Sequence, residues 1–283
     1  MVEVGAAPLP GGGLTCIRPM SAAPLTFVCL HYWAGSGLEW QAVAAELPTD
    51  LAVLGLDLGG FGEAPPPAGG YSVDAYADQV EEQIRARHLS NYVLVGHSMG
   101  GKMAMAVAAR QPAGLVGLVL LNPSPPSPEP MTDEDRQASL KAWGKRAEAE
   151  KTFRKIVTLP VPEAAHQQIV ADSLRSTKAA WEAWMRHGSR ENIVARLACL
   201  QLPCLIIAGA SDPIMSPSVH GLETLPHLPE GTPLAILPGA GHLLPYEAPQ
   251  DVARLLREFA SQRLPEPAVA KAAPVKSQAA SAK

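Results

Sequence analysis

Short apolar runs alternate with amphipathic segments along most of the chain, and this alternation is typical of a parallel sheet with helices on its faces. The predicted strands are the apolar runs, namely Leu25–Leu30, Leu51–Leu56, Asn91–Val95, Leu115–Leu121, Cys204–Ala208 and Leu234–Leu237. The predicted helices lie between and after these strands, at Leu38–Leu47, Val73–His88, Met99–Arg110 and Pro249–Ala260. The pattern therefore predicts an α/β fold.

The strand–helix alternation stops at Asn122 and resumes at Pro203. The interval is rich in charged residues, contains three of the five tryptophans, and begins with the proline-rich segment Asn122–Pro130. This composition predicts a helical insertion in the sheet domain. We expect a sheet domain in two parts with a helical cap between them and a disordered tail, since the last segment is mostly Ala, Pro, Lys and Ser. The predicted boundaries are 1–123 and 201–264 for the sheet domain, 124–200 for the cap and 265–283 for the tail.

The composition of the 283 residues narrows the functional class. Hydrophobic residues make up 47% of the chain and the net charge is −4, so a basic surface for nucleic acid is not expected. No apolar run approaches the roughly 20 residues of a membrane span, and the N-terminus lacks the pattern of a signal peptide. We expect a cytoplasmic protein that binds neither nucleic acid nor membranes. The cysteines have no metal-binding spacing, so we interpret all four as free thiols: Cys16, Cys29, Cys199 and Cys204.

The clearest chemical signal is Gly96-His97-Ser98-Met99-Gly100, which matches the pattern Gly-x-Ser-x-Gly. It follows a predicted strand and opens a predicted helix. A sharp turn between strand and helix lifts the serine hydroxyl clear of the sheet, and glycine allows neighbouring chain to approach that turn. The helix N-terminus offers backbone N–H groups to a developing oxyanion. This context predicts that Ser98 is a catalytic nucleophile.

A serine hydroxyl is a weak nucleophile and needs a base, which a third group orients. Asp212 follows the predicted strand Cys204–Ala208, and His242 follows the predicted strand Leu234–Leu237. In a parallel sheet both loops emerge on the same edge as the Ser98 turn. Asp212 could instead be a turn residue and His242 a capping residue. With Ser98 preceding them, we expect the three side chains to form a catalytic triad.

These residues resemble the α/β-hydrolase superfamily, whose nucleophile, acid and base follow each other in the chain order of Ser98, Asp212 and His242. The resemblance implies the α/β-hydrolase fold: a mostly parallel central sheet, helices on both faces, and a helical cap inserted after the sixth strand. The Ser98 motif is similar to that of small carboxylesterases, carbon–carbon bond hydrolases and cofactor-free haloperoxidases with perhydrolase activity. Haloalkane dehalogenases and epoxide hydrolases have aspartate at this position, so we do not expect either of those two chemistries here. Asn122 stands where some relatives carry the acid, a role that asparagine cannot fill.

The resemblance also implies an oxyanion hole made by the backbone amides of Trp33 and Met99. Family members carry a His-Gly-x motif after the strand that corresponds to Leu25–Leu30, and Tyr32 replaces its glycine here. The rings of Tyr32 and Trp33 could contact substrate or fill the edge of the sheet. Asp57, after the next strand, is interpreted as a residue that fixes its loop.

We therefore expect a serine hydrolase that cleaves small or medium carboxylic esters through an acyl-enzyme, with no metal and no cofactor. The expected substrate-binding residues are aromatic or apolar, and they are Tyr32, Trp143, Trp181, Trp184 and Met185. The four in the cap could equally form the cap's own core. Alternatives with the same triad are a carbon–carbon bond hydrolase, a lactonase, an amidase or a perhydrolase, and an alternative of another class is a ligand-binding protein without catalysis. The oligomeric state stays open.

Overall fold

The predicted apolar runs form the strands of a parallel sheet. The structure is a computed structural model, which describes residues 24–262 and 264. Within these residues six strands pair in the order β2-β1-β3-β4-β5-β6, and every pair is parallel. The strands are β1 (Thr26–Leu30), β2 (Ala52–Leu56), β3 (Tyr92–His97), β4 (Leu115–Leu121), β5 (Cys204–Gly209) and β6 (Leu234–Leu237). The predicted sheet is thereby confirmed.

Helices cover both faces of the sheet because successive side chains of each strand point to opposite faces. Val28 and Leu30 pack with α2 and α3, whereas Phe27 and Cys29 pack with α1 and α10. The described α-helices are α1 (Gln41–Ala45), α2 (Val73–Ala86), α3 (Met99–Ala109), α4 (Asp133–Ala142), α5 (Arg146–Ile156), α6 (Glu163–Arg175), α7 (Lys178–Arg186), α8 (Pro217–Val219), α9 (Leu244–Glu247) and α10 (Pro249–Gln262). Helices on both faces were expected for this fold.

The parallel arrangement brings the loops that follow the strands to one edge of the sheet. The last residues of neighbouring strands lie side by side: Leu30 pairs with Gly96 and Gly209 pairs with Leu237. The turn at Ser98, the loop of Asp212 and the loop of His242 therefore emerge together. Ligands of open α/β sheets bind at this edge.

Four of the described helices, α4 to α7, lie between β4 and β5. The N-terminus of α4 is capped by Thr132, whose Oγ1 accepts a hydrogen bond from Asp135 N–H at 3.1 Å. Among the described residues the insertion follows the fourth strand, β4, whereas the expectation placed it after the sixth strand of the family's sheet. The segments that enter and leave this helical region pair with each other: Glu129 N–H donates to Ser189 O and Ile193 N–H donates to Pro126 O, each at 2.8 Å.

Some expectations concern other parts of the chain. Cys29, Cys199 and Cys204 are free thiols. Cys16 and the predicted disordered tail, 265–283, lie outside the described residues. None of the helices in the described part of the chain combines the length and apolar character needed to cross a bilayer.

Candidate active site

Ser98 lies in the tight turn between β3 and α3. Its φ of 51° is in the left-handed region, which a non-glycine residue rarely adopts. The turn is possible because glycines stand on both sides. A Cβ on Gly96 would lie 2.5 Å from Gly100 O, and one on Gly100 would lie 2.6 Å from Leu30 O. The close backbone contacts thus hold Ser98 at the start of the helix, as the Gly-x-Ser-x-Gly pattern predicted.

Ser98, His242 and Asp212 form a chain of hydrogen bonds. His242 Nε2 lies 3.0 Å from Ser98 Oγ, and His242 Nδ1 lies 2.7 Å from Asp212 Oδ2. All three residues are buried, with exposed fractions of 7%, 4% and 5%. Because an ionised carboxylate can only accept, Nδ1 carries the ring proton and Nε2 is left as the acceptor for the serine hydroxyl.

Burial and neighbouring charges together set the protonation of Asp212 and His242. Burial by itself raises the pKa of Asp212, but the charge and hydrogen bond of His242 and the backbone N–H groups of Ile214 and Met215 outweigh it, so the pKa lies below its usual value. Burial lowers the pKa of His242, and the Asp212 carboxylate more than reverses that effect, so this pKa lies above its usual value. The arrangement therefore stabilises an imidazolium–carboxylate pair.

The backbone of His242 is fixed by side chains of the sheet core. Asn122 Nδ2 donates to Gly241 O at 3.0 Å and to His242 O at 2.9 Å, while Asn122 Oδ1 accepts from Gly209 N–H at 2.9 Å. His97 Nε2 also lies 2.8 Å from His242 O, and its Nδ1 faces the buried Glu39 at 3.3 Å. These bonds tie the end of β5 to the loop after β6.

Glu247 ties the same loop to the helical insertion. Its carboxylate accepts hydrogen bonds from Gly241 and Leu243 N–H, both at 2.9 Å, and from Thr158 and Leu159 N–H, both at 2.8 Å. In addition, His242 N–H donates to Ile156 O, at the end of α5, at 2.8 Å. The position of the His242 backbone is therefore linked directly to the region that follows α5.

Two backbone N–H groups, those of Met99 and Trp33, have no acceptor in the described part of the chain. Met99 is the first residue of α3, where N–H groups have no partner within the helix. The N–H of Trp33 donates to no other residue in the described part of the chain. His31 holds this loop, since its Nε2 accepts from Leu58 N–H at 2.9 Å and its Nδ1 donates to Tyr32 O at 2.7 Å. Burial lowers the pKa of His31 to about 4, in keeping with a neutral ring.

A cavity of about 180 Å³ opens beside Ser98 and His242, between the edge of the sheet and helices α4 to α7. Its wall is largely apolar. The charged side chains that line it are the buried Glu129, the half-buried Glu148 and the exposed Lys155. Trp33 and Trp181 contact each other across it, with ring centroids 4.0 Å apart. A lining of this kind and a volume of this size suit a small, largely apolar ligand.

The sequence matches the model of the Alpha/beta hydrolase family over residues 27–255. This match spans most of the chain. The chain belongs to this family. The recognised resemblance, which rested on the Ser98 turn and the strand-end loops, is thereby confirmed.

Three individual proteins show the level of similarity to this chain. A 2-succinyl-6-hydroxy-2,4-cyclohexadiene-1-carboxylate synthase of Serratia proteamaculans is 28% identical over 82% of this chain and 91% of its own. A bromoperoxidase of Bacillus anthracis has a TM-score of 0.76 at 20% identity, covering 83% of this chain and 91% of that one. An esterase of Exiguobacterium antarcticum has a TM-score of 0.76 at 19% identity, covering 84% and 92%. The two solved structures share the fold with this alpha/beta hydrolase.

The cavity brings together most of the expected substrate-binding residues of this hydrolase. Tyr32, Trp181, Trp184 and Met185 line it. Trp143 does not line it and is the exception, because its indole Nε1 donates to Ser176 O at 2.9 Å and its ring packs against the Lys178 ammonium within the helical region. The alternative for the other cap residues is partly right as well, since Trp184 and Met185 also belong to the main apolar core.

Sequence reasoning missed several residues that line the cavity, namely Glu129, Phe153, Ile156, Ile169, Ile214 and Met215. Spacing along α5 identifies Phe153 and Ile156 as members of one helix face, but it does not distinguish a face that lines a cavity from one that fills a core. Glu129 carries no motif at all. Among the described residues, no group of three or more His, Cys, Asp or Glu side chains could hold a metal ion.

Proposed function

We propose that this protein is a serine hydrolase that cleaves small or medium carboxylic esters. The observation that carries the proposal is the unbroken chain from Ser98 Oγ to His242 Nε2 at 3.0 Å and from His242 Nδ1 to Asp212 Oδ2 at 2.7 Å. A serine hydroxyl, a base and an orienting carboxylate in this geometry are the requirements of nucleophilic acyl transfer.

In the proposed reaction, Ser98 Oγ attacks the ester carbonyl carbon while His242 Nε2 accepts the serine proton. Asp212 holds the imidazole in the required tautomer and stabilises the imidazolium that forms. The backbone N–H groups of Met99 and Trp33 donate to the tetrahedral oxyanion. The imidazolium protonates the leaving alcohol, and water, deprotonated by His242, then cleaves the acyl-enzyme. Each step uses a group already positioned at the edge of the sheet.

The volume and the lining of the cavity favour a small, uncharged substrate. Its volume of about 180 Å³ is below the roughly 300–1,000 Å³ of sites for drug-sized ligands. The one cation in its lining, among the described residues, is the exposed Lys155. A ligand with several carboxylates would meet Glu129 and Glu148 and gain little compensation.

The similar synthase makes carbon–carbon chemistry the second candidate. That protein is named for a product with a carboxylate and a succinyl group. The scarcity of cations in this cavity disfavours the same substrate here. A carbon–carbon bond hydrolase, a lactonase and a perhydrolase would use the same triad on other carbonyl compounds, and a binding protein would not turn them over.

The test is a hydrolysis screen over p-nitrophenyl esters of increasing acyl length, with lactones and dienone acids alongside. We expect turnover of short and medium esters, and we expect Ser98→Ala to lower it by at least about 10³-fold. A fluorophosphonate should label the wild type and not Ser98→Ala. Ser173→Ala is the matched control, because Ser173 lines the same cavity and its loss should leave labelling intact. Labelling that persists in Ser98→Ala, or turnover of dienone acids without esters, would contradict the proposal.

A further inference from the structure

Glu129 places a buried carboxyl group in the wall of the cavity that contains Ser98 and His242. Only 7% of the residue is exposed. Burial raises the pKa of this carboxyl, and the Ser124 hydroxyl with the charges of Lys102 and Arg136 opposes the rise. Taking a carboxyl out of water costs free energy unless a partner replaces the water. The Ser124 hydroxyl can occupy only one of the several acceptor sites of this carboxyl, so Glu129 can accept from a further donor.

The two nearby cations are engaged elsewhere. Lys102 Nζ donates to Ser127 O at 3.0 Å and to Glu191 O at 2.9 Å. Arg136 Nη1 donates to Met185 O at 3.2 Å, and its contact with Glu129 goes through Nη2 to the backbone carbonyl at 3.3 Å. Within the described chain, Glu129 thus has charged neighbours but forms no ion pair with them. A structural ion pair does not account for the buried carboxyl.

The backbone of Glu129, from which the carboxyl projects, is fixed by hydrogen bonds on both sides. Its N–H donates to Ser189 O at 2.8 Å, and its carbonyl accepts from Met131 N–H at 2.8 Å as well as from Arg136. A preorganised acceptor inside an otherwise apolar cavity is the usual means of recognising one polar group of a ligand. A ligand that lacks the polar group leaves the buried acceptor unpaired. The resulting loss of binding free energy is larger than the gain from the hydrogen bond in a ligand that has the group.

We propose, on the basis of the ester hydrolysis proposed above, that Glu129 accepts a hydrogen bond from a hydroxyl group of the substrate, so that hydroxylated esters are the preferred class. A neutral donor fits better than an ammonium group, because Lys102 and Arg136 already place positive charge around the carboxyl. The hydroxyl and the ester would lie in the same cavity, since Glu129, Ser98 and His242 all line it.

Two matched pairs of esters test this assignment: p-nitrophenyl butyrate with p-nitrophenyl 3-hydroxybutyrate, and ethyl butyrate with 2-hydroxyethyl butyrate. The ratio of kcat/KM for the hydroxylated and plain ester is measured in each pair. Differences in intrinsic reactivity cancel when that ratio is compared between enzymes. We expect the ratio for at least one pair to fall by about 10-fold or more in Glu129→Met, which has a side chain of similar length and no carboxylate. In Glu129→Gln, which keeps one neutral acceptor, the fall should be smaller.

Glu148→Gln is the control, because Glu148 lines the same cavity from a half-buried position and should leave both ratios unchanged. If Glu129→Met does not fold, the near-isosteric Glu129→Gln still decides the matter. Equal ratios in the wild type and both Glu129 variants would overturn the role of Glu129 while leaving ester hydrolysis in place. A stronger preference for p-nitrophenyl 3-aminobutyrate would overturn the assignment of a neutral hydroxyl donor and show that Glu129 binds an ammonium group instead. No turnover of any ester by the wild type would overturn both proposals together.

Discussion

Replacing Asp212 with asparagine would change the protonation of the site with little change in its shape. Asp212 Oδ1 accepts from Ile214 N–H at 2.7 Å and from Met215 N–H at 3.0 Å, while Oδ2 faces His242 Nδ1 at 2.7 Å. The two backbone donors would retain the oxygen of the new amide, because an NH2 group there would oppose them. The amide NH2 would then face His242 Nδ1. The ring proton would have to move to Nε2, where it prevents acceptance of the Ser98 proton.

The expected loss of activity is therefore large. The corresponding substitution in Ser-His-Asp proteases lowers kcat by about 10⁴-fold through the same tautomer, and we expect a loss of that order in Asp212→Asn. The pH dependence should change as well. In the wild type the pKa of His242 is raised by Asp212, so kcat/KM should increase with pH through a limb above the usual histidine value. Without the carboxylate the lowering effect of burial dominates, and the limb should move to lower pH.

The assay is hydrolysis of p-nitrophenyl butyrate between about pH 5 and pH 9 by the wild type, Asp212→Asn and Asp57→Asn. Asp57 is the control because it accepts from Gly37 N–H at 2.7 Å and from Glu63 N–H at 2.8 Å. Both contacts fix loops, so Asp57→Asn should retain most activity. An Asp212→Asn enzyme within about tenfold of the wild type with an unmoved limb, or loss of activity in Asp57→Asn alone, would refute the assignment of the acid.

Two further predictions concern the histidine loop and the cavity. Glu247→Gln should lower the free energy of unfolding by about 1–3 kcal/mol, since the new NH2 group would face backbone N–H donors. It should also lower kcat about 10-fold, because the His242 loop would be held less firmly. Urea denaturation and ester kinetics measure the two effects, and unchanged values would contradict the anchoring role. Phe153→Ala should raise the kcat/KM of p-nitrophenyl hexanoate relative to the butyrate by up to about 10-fold, because each sheltered methylene is worth about 0.8 kcal/mol. An unchanged ratio in a parallel assay would show that Phe153 does not limit acyl length.

Much of the fold could be predicted from the sequence because the sheet is buried on both faces. Such strands are continuous apolar runs, and the predicted Leu115–Leu121 and Leu234–Leu237 agree with β4 and β6 at both ends. The Ser98 turn was predictable because it depends on local sterics at Gly96 and Gly100. The meeting of Asp212 and His242 followed from topology, since parallel strands bring their ends to one edge.

The features that the sequence did not predict depend on packing between segments that are far apart along the chain. The predicted helix Leu38–Leu47 is a 3₁₀ helix, Gly37–Trp40, followed by the short α1. Trp143 has the composition of a substrate-binding residue, but its contact with Ser176 removes it from the cavity. The buried carboxyl of Glu129 becomes apparent only when the loop after β4 is placed against the helical region. Tertiary contacts of this kind leave no periodic signal in a single sequence.

Two sets of hydrogen bonds hold the His242 loop, one from the sheet core and one from the helical region. The Asn122 side chain accepts from Gly209 N–H at the end of β5 and donates to His242 O. The sheet core therefore sets the distance between the loops of Asp212 and His242. An aspartate at position 122 would replace these donors with a charge facing carbonyl oxygens, so the amide suits this strand end. Glu247 and Ile156 O, in contrast, attach the same histidine loop to the end of α5. Changes in the helices can therefore alter which substrate fits without displacing Asp212, whereas movement at the end of α5 reaches His242 directly.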